Sequence, residues 1–283
     1  MEQQIVKVKN ERGVRVIPGF GFSLGITMFM LSVVVLIPLA SIFISTARLD
    51  FQEFLDIVTS RQIVSGYIVS LSCSFIAALI NVVFGMMLAW VIVRYDFPGK
   101  RLMDGLIELP FALPTAVAGI SLTYLYSDQG WIGSVFAKAG IKIAYTRIGI
   151  TIAMVFVGIP FVVRSLQPVL EKLDRQYEEA AMMLGAGRIY TFFRVILPEL
   201  FPALLAGFGL AFARGIGEYG SVVFIAGNIP YKTQIAPLLI MTKLEQYKYA
   251  DATACALVLL VISFALMVLI NSVQLYMQRF SKC

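Results

Sequence analysis

Five stretches of this 283-residue chain, residues 16–47, 62–93, 109–127, 148–163 and 252–278, contain no Asp, Glu, Lys or Arg. A sixth apolar segment, from about 202 to 227, is interrupted only by Arg214 and Glu218. Runs of this length belong in lipid, where every backbone N–H and C=O must be satisfied within the segment, so each should be a helix. Crossing the hydrocarbon core takes roughly 17 to 25 helical residues. The pattern therefore predicts an all-α integral membrane protein with six transmembrane helices at 20–46, 64–93, 106–127, 148–169, 202–226 and 252–277. The fourth run is short and contains Gly158 and Pro160, so its helix is expected to extend past Arg164, whose long stem lets the guanidinium snorkel to the interface. Composition agrees: 59% of residues are hydrophobic, 14% are charged and the mean hydropathy is +0.85, far from a soluble domain.

Orientation follows from the flanking charges. Of the 23 Lys and Arg residues, fourteen fall on the side of the N-terminus, counting Arg164 near the end of the fourth span, eight on the other side, and Arg214 lies near mid-span. The bias places both termini in the cytoplasm: an N-terminal segment 1–19, a six-helix membrane domain 20–277 and a short tail 278–283. The first apolar run far exceeds the ~7 to 15 residues of a signal-peptide core, so it reads as an uncleaved helix. A pI of about 9.2 reflects this asymmetry and attraction to anionic lipid headgroups, and no motif supports nucleic-acid binding.

Much chemistry is excluded directly. There is no histidine, hence no His-based triad, HExxH pattern or imidazole metal ligand. Cys73 and Cys255 lie in predicted spans and Cys283 is the last residue, with no CxxC pair, so neither a disulfide framework nor a zinc site is indicated. With no GxxxxGK[ST] loop, no bound nucleotide is expected on this chain, and no metal or cofactor either; any ATPase must be another polypeptide.

Between the fourth and fifth spans lies a polar island at about 171–200. Glu178 and Glu179 stand near the start of a predicted helix, where the dipole favours carboxylates, and Ala180, Ala181, Met182, Met183 and Leu184 continue it. Gly185 supplies the break, Ile189 to Leu197 form a second short amphipathic run, and Pro198 opens the next span. Such a helix presents small side chains outward, suited to close docking of a partner; a merely solvated connector is the other reading. Glu179, Ala180, Ala181, Gly185, Leu197 and Pro198 resemble the EAA loop of permease subunits of binding-protein-dependent ABC importers, with Val195 where that pattern has Ile. The resemblance implies the type I importer permease fold and an ATPase-coupling role for Glu178, Glu179, Ala180, Ala181, Leu184 and Gly185.

The fifth span carries a small-residue stripe, Gly209, Ala213, Gly217 and Ser221, at four-residue spacing that permits close helix approach. Beside it Arg214 and Glu218 lie one turn apart near mid-membrane, where charges must face protein or a wet cavity. Two readings stay open: a gate or anion path with Arg214 as its positive element, or a neutralising pair that only sets geometry. Arg before Glu is also the weaker helical order.

Residues 213–228 are similar to the corresponding helix of oxyanion permeases, with Ala-Arg, two residues, Gly-Glu-aromatic-Gly and a later Gly-Asn. Leu109 to Ile120, Gly227-Asn228-Ile229-Pro230 and Thr233 to Leu238 narrow the resemblance to the sulfate/thiosulfate subgroup, T-type subunit. It implies a homologous W-type permease partner, two ATPase subunits using ATP and Mg, a periplasmic or lipid-anchored binding protein, and alternating access in a bacterial inner membrane or a plastid membrane. Docking would use the external loops at about 128–147 and 228–251, whose run Leu238-Leu239-Ile240-Met241 either tucks into the pore mouth or lies solvated. Pro110 and Pro114 either kink the third helix or shape its start. The alternatives are a molybdate or tungstate permease and, in another class, an ion-coupled secondary transporter, which would need more intramembrane acids and an internal repeat.

Overall fold

The computed structural model describes residues 20–174 and 176–280, with the side chains of 278–280 excepted. The N-terminal segment 1–19 and residues 281–283 of the tail lie outside the described residues. Among those described, regular structure is helical throughout: α1 (Phe20–Thr46), α2 (Phe51–Val58), α3 (Arg61–Arg94), α4 (Lys100–Ala112), α5 (Thr115–Tyr126), α6 (Gly133–Lys138), α7 (Arg147–Lys172), α8 (Gln176–Met183), α9 (Arg188–Ile216), α10 (Val222–Ala226), α11 (Ala236–Glu245) and α12 (Tyr249–Phe280). Five of these, α1, α3, α7, α9 and α12, are long and apolar enough to cross a bilayer, and α4 with α5 makes a sixth, broken crossing.

The centre is a trio, α3, α7 and α9. Ala89, Val162, Val163, Leu166, Leu170 and Leu200 are fully or almost fully buried there. Without a hydrophobic driving force between helices in lipid, packing needs small residues at the seam. A Cβ on Gly85 would come within 2.8 Å of Val162, one on Gly207 would strike Ser165 and the Val162 backbone, and one on Gly215 would press on Ser74 at 3.1 Å. α12 flanks α9, and α1 leans on α12 while its most apolar window has no residue buried within the chain.

Two π-turns, Ser32–Leu36 and Phe192–Ile196, each end two residues before a proline, Pro38 and Pro198. A proline ring crowds the carbonyl four residues back and offers no N–H, and a widened turn relieves the conflict without ending the helix. Pro198 therefore does not open the fifth span, as the sequence suggests; it is absorbed inside a helix that already runs from Arg188.

Three further expectations change. The predicted third helix, 106–127, is two helices meeting at 109°, because Leu113, preceding Pro114, is held extended at φ −83°, ψ 136°. Pro110 stays inside α4. The predicted fifth helix, 202–226, ends at Ile216, and Gly217 to Gly220 are non-helical before the short α10. The Leu238–Met241 run is neither solvated nor irregular: it belongs to α11, with Leu238 and Leu239 each 2% exposed against α3 and α12.

Candidate functional site

The polar island folds as a small mounted tip. Asp174 caps α8 by accepting the Gln176 N–H at 3.0 Å. Glu178, in the first turn, is ion-paired at 2.8 Å with Arg94 at the end of α3, and that guanidinium lies over the Trp90 ring at 5.5 Å while donating to the Leu173 carbonyl at 3.3 Å. Glu178 thus anchors the loop inward, whereas Glu179 and Ala180 are exposed and Ala181 is half-buried. At the far end Gly185 takes φ +82°, its N–H bonds to the Met182 carbonyl, and the Ala186 N–H bonds to the Ala181 carbonyl. These are the two hydrogen bonds of a Schellman cap, which needs a residue free to be left-handed at that position. The cap thrusts Met183 and Leu184 outward at 90% and 88% exposure. The outward face is therefore not small side chains alone, as expected from Ala180 and Ala181, but a large apolar tip on a fixed base.

The second locus is the break after α9. Glu218 is buried to 1% while its ion-pair partner Arg214 keeps 35% of its side chain exposed. One Glu218 oxygen, Oε1, accepts both the Ser221 N–H at 2.9 Å and the Ser221 hydroxyl at 2.8 Å; the other, Oε2, meets Arg214. The carboxylate so replaces helical hydrogen bonding across the break and presents the N-terminus of α10. Opposite sits α5: a Cβ on Gly119 would lie 2.5 Å from the Ser221 carbonyl oxygen, and one on Gly220 would strike Thr115. The break and the Leu113–Pro114 elbow are thus packed together, with one guanidinium partly uncovered beside them.

Residues 81–281 match the family described as binding-protein-dependent transport system inner membrane component. The chain belongs to that family. This permease component is 47% identical over 260 residues to the sulfate transport system permease protein CysT of Salmonella typhimurium, covering 92% of this chain and 94% of that one. It is 48% identical over 255 residues, 90% of each chain, to the probable sulfate transport system permease protein cysT of Nephroselmis olivacea. Among solved structures, a bacterial alginate ABC transporter in complex with an alginate pentasaccharide-bound periplasmic protein gives a TM-score of 0.74 at 16% identity, covering 89% of this chain and 92% of that one. That likeness speaks to fold, and the fold is that of an ABC importer's membrane subunit.

The permease also holds a polar cluster between α4 and α7. Arg164 does not snorkel away from the bundle: its guanidinium pairs with Asp104 at 3.0 Å and Glu108 at 2.6 Å, and Gln167 donates to Asp104 at 3.1 Å. Asp104 and Glu108 lie one turn apart on the α4 face that meets α7, a spacing visible in the sequence once Arg164 is asked for a counter-ion. Phe111 on Phe161, edge to face at 5.1 Å, adds a ring contact between these helices. Nor does the expected packing stripe act as one surface. Gly209 meets Ile270 of α12, Gly217 would meet nothing within 4 Å in this chain, Ala213 is half-buried, and Ser221 lies beyond the break. The close helix seam uses Gly207, Ala211 and Gly215, the same spacing two residues out of register.

Proposed function

We propose that this permease is the T-type subunit of an ATP-driven importer of sulfate and thiosulfate, paired with a homologous W-type subunit on two cytoplasmic ATPase subunits and fed by an external sulfate-binding protein. Near-half identity along almost the whole chain to sulfate permeases supports the substrate. The single observation that carries the coupling is the capped tip: Met183 and Leu184 project from a helix whose base is tied to α3 through Glu178 and Arg94. A partner that grips that tip pulls directly on a central helix of the bundle.

In this reading both termini and the α8 loop are cytoplasmic, this chain binds no nucleotide, and ATP with Mg acts in the ATPase subunits. ATP-driven closure draws two such tips together and tilts the bundle from inward-open to outward-open; hydrolysis resets it. Arg214, partly uncovered beside the α5–α10 contact, supplies positive charge along the anion's route, and Glu218 holds the broken backbone in place. Transport is alternating access with no covalent step.

The test is labelled sulfate uptake into vesicles loaded with ATP, using the chain assembled with its permease, ATPase and binding-protein partners. Uptake should need ATP, persist with a protonophore and resist excess molybdate. Uptake blocked by molybdate would assign a molybdate or tungstate permease; uptake lost to the protonophore and indifferent to ATP would assign ion coupling.

A further inference from the structure

A groove of about 780 Å³ opens between the end of α3, the α8 helix and the start of α9. It is lined by the apolar side chains of Met86, Met87, Trp90, Phe192 and Phe193, with Glu178 and Arg188 among its polar groups. Three observations say what fits. First, depth: Met86 is two turns, about 12 Å at 1.5 Å per residue, along α3 from the terminal Arg94, so the groove runs from the interface into the hydrocarbon layer, with Trp90 and Tyr95 at the headgroup level where aromatics concentrate. Second, charge: Arg188 and Arg194 border the adjoining surface, and neither pairs with a carboxylate among the described residues, while the one acid in the wall, Glu178, is neutralised by Arg94. Third, size: the volume lies within the ~300–1,000 Å³ typical of small-molecule sites, enough for an extended acyl chain.

We propose that this groove holds one anionic phospholipid of the loop-side leaflet, its acyl chain along Met86, Met87 and Phe193 and its phosphate on Arg188 and Arg194. Lipid there also touches Met182, on the helix that carries the Met183–Leu184 tip. The lipid fills the space between that helix and α3, so that tip and bundle move together. This last consequence rests on the coupling role proposed above; the binding site does not.

Trp90 makes the site directly readable, because the chain has two tryptophans and the other, Trp131, is 84% exposed far along the sequence. The full chain carrying Trp131→Phe is reconstituted into vesicles containing brominated phosphatidylglycerol or brominated phosphatidylcholine, and quenching of Trp90 fluorescence is titrated. Phosphatidylglycerol should quench with the higher apparent affinity, by about fivefold for each arginine engaged, and the preference should shrink at high salt. Arg188→Gln with Arg194→Gln should remove the preference, and Arg188→Lys should retain it in a chain with an unchanged unfolding midpoint. Equal quenching by the two lipids would mean ordinary boundary lipid. Absence of quenching by either would mean that protein fills the groove, and a preference surviving the double Gln variant would place the headgroup elsewhere; each of these results overturns the proposal. No sulfate is transported in this measurement, so its failure and a failure of the transport reading are separate events.

Discussion

The Arg214–Glu218 pair makes an asymmetric prediction, because one member is buried and the other is not. In Arg214→Met the Glu218 carboxylate, 1% exposed, keeps only the two donors of Ser221. Removing one partner of a buried pair costs about 3–5 kcal/mol, and the surviving charged hydrogen bonds hold the expected loss near the lower end, about 3 kcal/mol. In Glu218→Gln the amide oxygen still accepts from Ser221, and Arg214, 35% exposed, can turn toward other polar surroundings, so about 1–2 kcal/mol is expected. The double variant removes both charges and should lose only about 1 kcal/mol, recovering most of the Arg214→Met loss, which corresponds to a coupling of about 3 to 4 kcal/mol. Unfolding of the reconstituted complex by denaturing detergent measures all four corners of the cycle. The same set separates the two roles of the pair: if the charges set geometry alone, the double variant regains sulfate uptake with stability, whereas if Arg214 lies on the anion's route stability returns and uptake does not. Additive losses, or a Glu218→Gln variant less stable than Arg214→Met, would refute the reasoning, since either means that the buried carboxylate is not what Arg214 stabilises.

Other perturbations follow from single contacts. Gly119→Ala drives a methyl to 2.5 Å from the Ser221 carbonyl oxygen and 2.9 Å from its Cα, both backbone atoms, so a loss of about 1–3 kcal/mol is expected in the same unfolding assay, and wild-type stability would show that α5 can retreat from the break. Arg164→Gln removes ion pairs to carboxylates that are 38% and 56% exposed, so global stability should fall by only about 1 kcal/mol. Hydrogen exchange should nonetheless quicken across residues 100–112 while the 147–172 helix keeps its protection; uniform quickening would deny α4 a separate latch. Leu184→Asp, at an 88% exposed position, should leave the unfolding midpoint unchanged and reduce ATP-driven uptake at least tenfold through failed ATPase docking, measured by co-purification of the ATPase; full co-purification would move the docking surface off this tip.

Much of the architecture was legible because lipid makes composition nearly equivalent to structure. Where a run is bounded by charges at both ends, as in Arg61–Arg94, the helix ends at the bounding charges; Arg147–Lys172 begins at its bounding charge and continues eight residues past Arg164. Counting charges is blind to backbone breaks. The Leu113–Pro114 elbow and the Gly217–Gly220 break lie inside apolar sequence, and their signals, a pre-proline residue and paired glycines around an acid, compete with ordinary kinks and packing glycines that look the same. Periodicity likewise could not choose between the stripes beginning at Gly207 and at Gly209, since both recur every four residues and only the neighbours decide which one is the seam. Charge partners are hidden in a common way: Glu178 does stand in the first turn of its helix, as local sequence suggests, but its partner Arg94, like Asp104 and Glu108 for Arg164, comes from a distant segment that local reading does not reach.

The two breaks that composition hid are also the places where the fold can change shape without unfolding. Helices packed through glycines, as α3, α7 and α9 are, resist sliding because the facing side chains and backbone already fill the space that a Cβ at Gly85, Gly207 or Gly215 would need. The α4–α5 elbow is different: α4 meets α7 through the Arg164 ion pairs, the Phe111–Phe161 contact and a short apolar patch around the buried Ile107, while α5 is wedged by Gly119 against Ser221 and so against the Glu218 anchor. A pull on the Met183–Leu184 tip reaches α3 through Arg94, and α3 packs on the same α7 that carries Arg164. Tip, central trio and elbow therefore form one contiguous chain of contacts, in which the ion pairs of Arg164 are more readily remade than the glycine seams. Motion transmitted from the loop should appear first as a change in α4, and last in the trio itself.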